Sequence, residues 1–220
     1  MKKIINTILW DLDGTLINSE HISNQSGILA AKLLGYTYTG DDIPPGIANQ
    51  HGFELVFKQK PAENPDLFNR WKKMTDTNIL QELNSTQQIN QSVKLFEYFH
   101  QLGLLQSVVS NSPSGIIKHS LQQLRLATKC HSFFGSDQVE HGKPHPQLYL
   151  NAILHHNTTA NQCLCFEDSY VGITAARAAG LSVIGIGKNS QDYAPDLVLM
   201  LEDNDWLPQL LNHYEFKPQQ

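Results

Sequence analysis

An apolar run built from Ile4, Ile5, Ile8, Leu9 and Trp10 stops abruptly at Asp11-Leu12-Asp13-Gly14. It predicts one short, largely buried strand from Ile4 to Trp10. The pattern then changes to a polar, helix-leaning stretch over residues 18–87. There, Ile22, Leu29 and Leu33 fall on one helical face. Pro44, Pro45 and Gly46 punctuate the stretch, a second helical segment follows from about Phe53, and a third runs from Asp66 to Leu83. No strand pattern occurs in this block, which predicts an all-helical insertion. From Val93 onward the period alternates. Helical spacing at Val93, Phe96, Phe99 and Leu102 gives way to a strand at Leu104 to Val109, then a helix at Ile116 to Leu126. A short strand at His131 to Gly135, a helix at Gln147 to His155 and a strand at Cys163 to Phe166 follow. An Ala-rich helix around Ala175 to Ala179 and strands at Val183 to Ile186 and Leu197 to Leu199 complete the series, before a polar carboxyl-terminal tail. Strands alternating with helices predict an α/β fold, a doubly wound, Rossmann-like parallel sheet. The expected division is a core of residues 1–17 and 88–220 with a helical cap of residues 18–87.

Length and charge narrow this picture. A chain of 220 residues can bury one good core and carry an inserted subdomain. Its 16 Lys and Arg against 21 Asp and Glu give a net charge of -5 and no basic stripe, so nucleic acid is not an expected partner. Cys130, Cys163 and Cys165 form no disulfide framework, which points to a reducing compartment. Cys163 and Cys165 alternate with Leu164 in a strand pattern and are expected to be core packing. Lys2 and Lys3 precede too short an apolar stretch for a signal peptide, and no run spans a membrane. A cytoplasmic location is expected.

Four loops that should follow parallel strands carry complementary polar groups: Asp11 and Asp13, Ser110 with Asn111, Lys143, and the Glu167-Asp168 pair. Taken singly each has an ordinary reading. Ser110 would be a turn residue, Lys143 a solvated surface lysine, and Glu167-Asp168 the cap of the following helix. In a doubly wound sheet, however, all four loops converge at the carboxyl edge. Clustered carboxylates supply the hard oxygen ligands that Mg²⁺ requires. A hydroxyl and an ammonium complement the oxygens of a phosphoryl group. Gly14 permits the tight turn that brings backbone close to a ligand.

The segments Trp10-Asp11-Leu12-Asp13-Gly14-Thr15-Leu16, Val109-Ser110-Asn111, Gly142-Lys143-Pro144-His145-Pro146 and Phe166-Glu167-Asp168-Ser169 resemble, in order and separation, the four motifs of the haloacid dehalogenase superfamily. The resemblance covers essentially the whole chain. Val171-Gly172-Ile173 and the Ala-rich stretch after it are similar to the β-phosphoglucomutase and phosphatase branch, in which a helical cap follows the first motif. The resemblance implies that Asp11 is a nucleophile forming an aspartyl-phosphate and Asp13 the general acid and base. It implies Mg²⁺ on Asp11, the Asp13 carbonyl and Asp168, with Glu167 direct or through water, and phosphate binding by Ser110, Asn111 and Lys143. Asp13 argues against dehalogenation, because dehalogenases lack a second catalytic aspartate there. A sugar-phosphate mutase is the alternative, but Asn49 stands where mutases carry a cap arginine, in Pro45-Gly46-Ile47-Ala48-Asn49. Arg70, Lys72 and Lys73 are expected to form a solvated helix face. Asn18 replaces a commoner aspartate, and the Pro-Gly usual before the Val93 helix is missing. A catalytically silent binding protein would have lost a motif, and none is lost. The expectation is a Mg²⁺-dependent phosphatase, monomeric, acting on a small phosphorylated metabolite such as a sugar phosphate.

Overall fold

The computed structural model describes residues 2–38, 49–203 and 205–219. Its strands are β1 (Lys3–Ile5), β2 (Thr7–Trp10), β3 (Leu105–Val109), β4 (Ser132–Phe134), β5 (Cys163–Glu167), β6 (Ser182–Ile186), β7 (Leu197–Leu199) and β8 (Tyr214–Phe216). Six of them form one sheet in the order β4-β3-β2-β5-β6-β7, and every pairing in it is parallel. The chain works outward from β2 through β3 to β4, then crosses back to β5 on the other flank of β2. That reversal opens a crevice at the carboxyl ends of β2 and β5, where ligands of such sheets bind.

The apolar run at the start is two strands, not one. Asn6 divides it, because its side-chain oxygen accepts from the Thr7 and Thr158 hydroxyls at 2.8 and 3.1 Å. Its backbone meanwhile bridges Gln162 and Leu105. β1 therefore leaves the main sheet and pairs with β8. The carboxyl terminus is likewise no polar tail. Trp206, Leu210 and Tyr214 are buried there, and their spacing is too sparse to stand out against the surrounding polar residues.

Three helices, α1 (Glu20–Leu33), α2 (Asn49–Phe57) and α3 (Pro65–Glu82), lie between β2 and β3. Asn64 starts α3 by accepting from the Leu67 N–H at 3.2 Å, ahead of Pro65 at the first helical position. These helices share a cluster of Ala30, Ala31, Phe53, Phe57, Leu67 and Trp71. Here α1 departs from the expected face: Leu29 and Leu33 are exposed, while Ser26, Gly27, Ala30 and Ala31 turn inward. The reason is Trp71, whose indole N–H donates to the Gly27 carbonyl at 2.8 Å. Small residues on α1 let that ring approach the backbone, and larger ones would hold the helices apart. The loop segment Pro45 to Ala48 lies outside the described residues, as does the side chain of Asn49. Chain exit and re-entry are tied together, since Asn18 N–H donates to Gln87 O at 2.8 Å and Ile89 N–H to Leu16 O at 3.0 Å.

The remaining helices are α4 (Asn90–Gln101), α5 (Ser114–Gln123), α6 (Gln147–His155), α7 (Tyr170–Ala178) and α8 (Leu207–His213). Alternation along β2 sends Ile8 and Trp10 to one apolar cluster and Leu9 to the other. Trp10 stacks on Phe166 and Phe96 at 4.2 and 5.6 Å between centroids. Cys163 and Cys165 are free thiols buried in β5 and serve as packing. Among the described residues no helix is long and apolar enough to cross a membrane.

Candidate active site

β2 and β5 are adjacent, with Trp10 opposite Phe166. Asp11 and Glu167-Asp168 therefore emerge side by side at their carboxyl ends. Lys143, from the loop before α6, is buried beneath them. Its ammonium donates to Asp11 Oδ1 at 2.7 Å, Glu167 Oε1 at 2.5 Å and the Val109 carbonyl at 2.7 Å. A buried charge is tolerated only when paired in this way. Burial by itself lowers the Lys143 pKa, but Asp11 and Glu167 more than reverse this and hold it above the ordinary lysine value.

Asn111 fastens the lysine loop. Its side chain accepts from the Lys143 N–H at 2.8 Å and donates to the Lys143 carbonyl at 3.1 Å. A Cβ on Gly142 would stand 2.5 Å from the same Asn111 oxygen, so only glycine lets the clamp close. Both ends of the amide thus meet Lys143 backbone.

Asp13 has other company. Its carboxylate accepts from Ser19 Oγ at 2.5 Å, Ser112 Oγ at 2.8 Å and Ser110 Oγ at 3.3 Å. The Ser110 hydroxyl itself accepts from the Ser112 N–H at 2.9 Å, which orients it toward Asp13. Ser19 and Ser112 were not singled out in the sequence. Ser112 is detectable as the second hydroxyl of the Ser110 loop, whereas Ser19 carries no signal of its own.

Carboxylate oxygens of Asp11, Glu167 and Asp168 lie within 4.8 Å of one another, an arrangement compatible with metal binding. Asp168 Oδ1 is buried without a hydrogen-bond partner. Gly14, at φ +83°, leaves the Asp168 carboxylate the space that any Cβ would occupy. Burial, reinforced by neighbouring acids, raises the Asp11 and Asp168 pKa values well above the carboxylate range; Lys143 only partly offsets this. Three acids beside one ammonium are short of positive charge, and a buried carboxylate oxygen without a partner is what a hard cation satisfies. The donor set fits such an ion.

Glu167 is fully buried, with Tyr149 Oη donating to its Oε1 at 2.5 Å. Burial raises the Tyr149 pKa well above its usual value, so the phenol remains a donor. Beside Asp168 opens a cavity of about 550 Å³, lined in part by Gly14, Asn18, Ile89, Tyr170 and Lys188.

A family model described as haloacid dehalogenase-like hydrolase matches residues 8–186. The chain is 30% identical to a phosphoglycolate phosphatase of Vibrio cholerae over 84% of this chain and 85% of that protein. It is 25% identical to a validoxylamine A 7'-phosphate phosphatase of Streptomyces hygroscopicus subsp. limoneus, covering 81% and 84% of the two chains. Its fold is similar to the crystal structure of a β-phosphoglucomutase from Clostridium difficile, with a TM-score of 0.78, 18% identity, and coverage of 94% and 97%.

Proposed function

The chain belongs to the haloacid dehalogenase-like hydrolase family and is a phosphoric monoester hydrolase; on that premise we propose a Mg²⁺-dependent phosphatase that hydrolyses a small phosphate monoester through an aspartyl-phosphate on Asp11. The observation that carries this reading is the separation of two aspartates into unlike settings. Asp11 shares Lys143 with Glu167 inside the acidic cluster, while Asp13 is held by hydroxyl groups from two loops. Environments that differ in this way divide nucleophile from acid/base between like residues.

Asp11 Oδ attacks phosphorus as the bond to the leaving oxygen breaks, and Asp13 donates its proton to that oxygen. Asp13, now a carboxylate, takes a proton from water, whose oxygen attacks phosphorus and releases phosphate with Asp11 regenerated. Ser110, Asn111 and Lys143 would bind the transferring group, Lys143 through its charge because its three N–H bonds go to Asp11, Glu167 and the Val109 carbonyl, and Asn111 also holds Lys143 in place. Mg²⁺ on Asp11, Asp168, Glu167 and the Asp13 carbonyl would supply Lewis-acid charge neutralisation to a dianion approaching a carboxylate. The helical block, taken as residues 18–87, would exclude bulk water during chemistry. A cavity of about 550 Å³ suits the organic part of a small metabolite.

A mutase needs a cap cation for a second phosphate. Of the cap cations Arg70, Lys72 and Lys73, Lys72 pairs with Asp76 at 2.6 Å and the other two are exposed. The test is an aryl phosphate assay with Mg²⁺ and with EDTA, beside a bisphosphate-primed reaction on β-glucose 1-phosphate. Mg²⁺-dependent phosphate release is expected. Glucose 6-phosphate forming faster than inorganic phosphate would establish the mutase instead.

A further inference from the structure

Tyr149 sits in the first turn of α6 and is completely buried. It touches two groups of the site at once. Its ring lies 5.0 Å from the Lys143 ammonium, a cation–π distance. Its hydroxyl reaches Glu167 Oε1, the same oxygen that accepts from Lys143. Core packing alone explains a buried ring at this position. It does not explain a phenol oxygen, which costs free energy to bury unless it finds a partner. A phenylalanine would fill the space with no such requirement.

The Glu167 carboxylate is confined from its other side too. Ser169 Oγ donates to Oε2 at 3.3 Å, and Ser169 Oγ in turn accepts from the Gly172 N–H at 3.2 Å. A Cβ at position 172 would overlap the Glu167 carboxylate itself. This carboxylate is thus walled by α7, with its Oε1 shared by one ammonium and one phenol.

We propose that Tyr149 is a positioning residue, whose hydroxyl fixes the Glu167 carboxylate in the orientation that the acidic cluster needs to take up a divalent cation. The inference rests on the cation reading given above. The physical logic is that of outer-shell partners of metal ligands, which lock an oxygen's direction without touching the ion. A carboxylate held by two donors on Oε1 keeps a fixed orientation. With the phenol removed, Oε1 keeps only an ammonium that it shares with Asp11, and Ser169 reaches the other oxygen at the longer distance of 3.3 Å.

Tyr149→Phe removes the hydroxyl and keeps the ring under Lys143. Calorimetric titration of Mg²⁺ alone into the protein is expected to show Kd raised about 10- to 100-fold by this change. Inorganic phosphate, titrated at saturating Mg²⁺, should bind the variant as it binds wild type, because the ring and Lys143 remain. In a Glu167→Gln background, Tyr149→Phe should add no further loss in Mg²⁺ affinity, since the hydroxyl acts through that carboxylate. An unchanged Mg²⁺ Kd in Tyr149→Phe, with or without a lowered melting temperature, overturns the proposal alone. So does a full additional loss in the Glu167→Gln background. Failure of the wild-type protein to bind Mg²⁺ overturns the cation reading and this inference with it. Should Tyr149→Phe melt lower, the titration is run at a temperature where its far-UV circular dichroism matches wild type, and the same outcomes apply.

Discussion

The two halves of the site are built from the same residue type and oppose each other in character. Around Asp11 the groups are charged and nearly sealed from solvent: one ammonium is shared by two carboxylates, with a third carboxylate beside them. Around Asp13 the donors are neutral hydroxyls from the β2–α1 linker and the loop after β3. The first half holds negative charge under tension, since burial and Glu167 push a proton toward Asp11 and only added positive charge keeps it an anion. The second half holds its carboxylate through hydrogen bonds alone, with Ser19, Ser112 and Ser110 as the donors. Placement relative to charge, more than residue identity, sets the task of each aspartate.

Substitutions on each side break this comparison in different currencies. The largest effect is expected from Asp11→Asn, which removes the attacking oxygen. Turnover of an aryl phosphate should fall on the order of 10⁴- to 10⁶-fold, and retention of wild-type rate would refute its role as nucleophile. Next, Lys143→Met leaves Asp11 and Glu167 facing each other without their shared cation. Stranding a buried charge costs about 3–5 kcal/mol, a fall in melting temperature of about 6–20 °C. Calorimetry finding only the loss of a surface lysine would show that this half is not the charged, stability-critical one. Asp13→Asn should instead slow turnover about 10²- to 10⁴-fold while the melting temperature stays close to wild type. Ser112→Ala deletes one donor to Asp13 and should cost roughly tenfold in rate, the equivalent of one hydrogen bond to a charged acceptor.

The smallest effect separates acid lability of the scaffold from that of the site. His156 packs against Ser107 of β3 at 2.5 Å and beside the rings of His155 and His131. Burial, then those two neighbours, lowers its pKa from 6.5 to about 4. The neutral form is favoured in the folded protein, so the unfolded chain binds more protons between those values. Its contribution to stability is complete above about pH 6.5 and is lost as pH falls toward about 4. Melting temperatures measured across that window should decline less steeply in His156→Gln than in wild type.

Legibility differed between the two halves. Asp11, Ser110, Lys143 and the Glu167-Asp168 pair stood out because each ends or follows a strand pattern, and parallel strands bring such ends to one edge. Ser19 did not, since a small hydroxyl residue near a turn carries no periodicity to betray a partner, and Ser112 showed only as the second hydroxyl of the Ser110 loop. Asn111 was visible as part of the site, but not as the clamp on Lys143 backbone. Tyr149 was invisible because an aromatic residue at helical spacing reads as core, which its ring is. In the helical block the larger residues Leu29 and Leu33 suggested the buried face of α1, and Trp71 reversed it by requiring small residues beneath its ring.

The sequence by itself determined the alternation of strands and helices, the helical block between β2 and β3, and the set of acids, hydroxyl and lysine at the strand ends. Those are local properties, written in apolar periodicity and in where it stops. Only the tertiary structure decided which oxygen meets which donor. Lys143 and Asp11 are 132 positions apart, and their contact exists because β2 lies between β3 and β5. It likewise decided that Asn6 splits the first strand, that the carboxyl terminus returns to pair with β1, and that one aspartate is charged-paired while the other rests among hydroxyls. Pairing of that kind depends on which elements become neighbours, and no short window of sequence contains both partners.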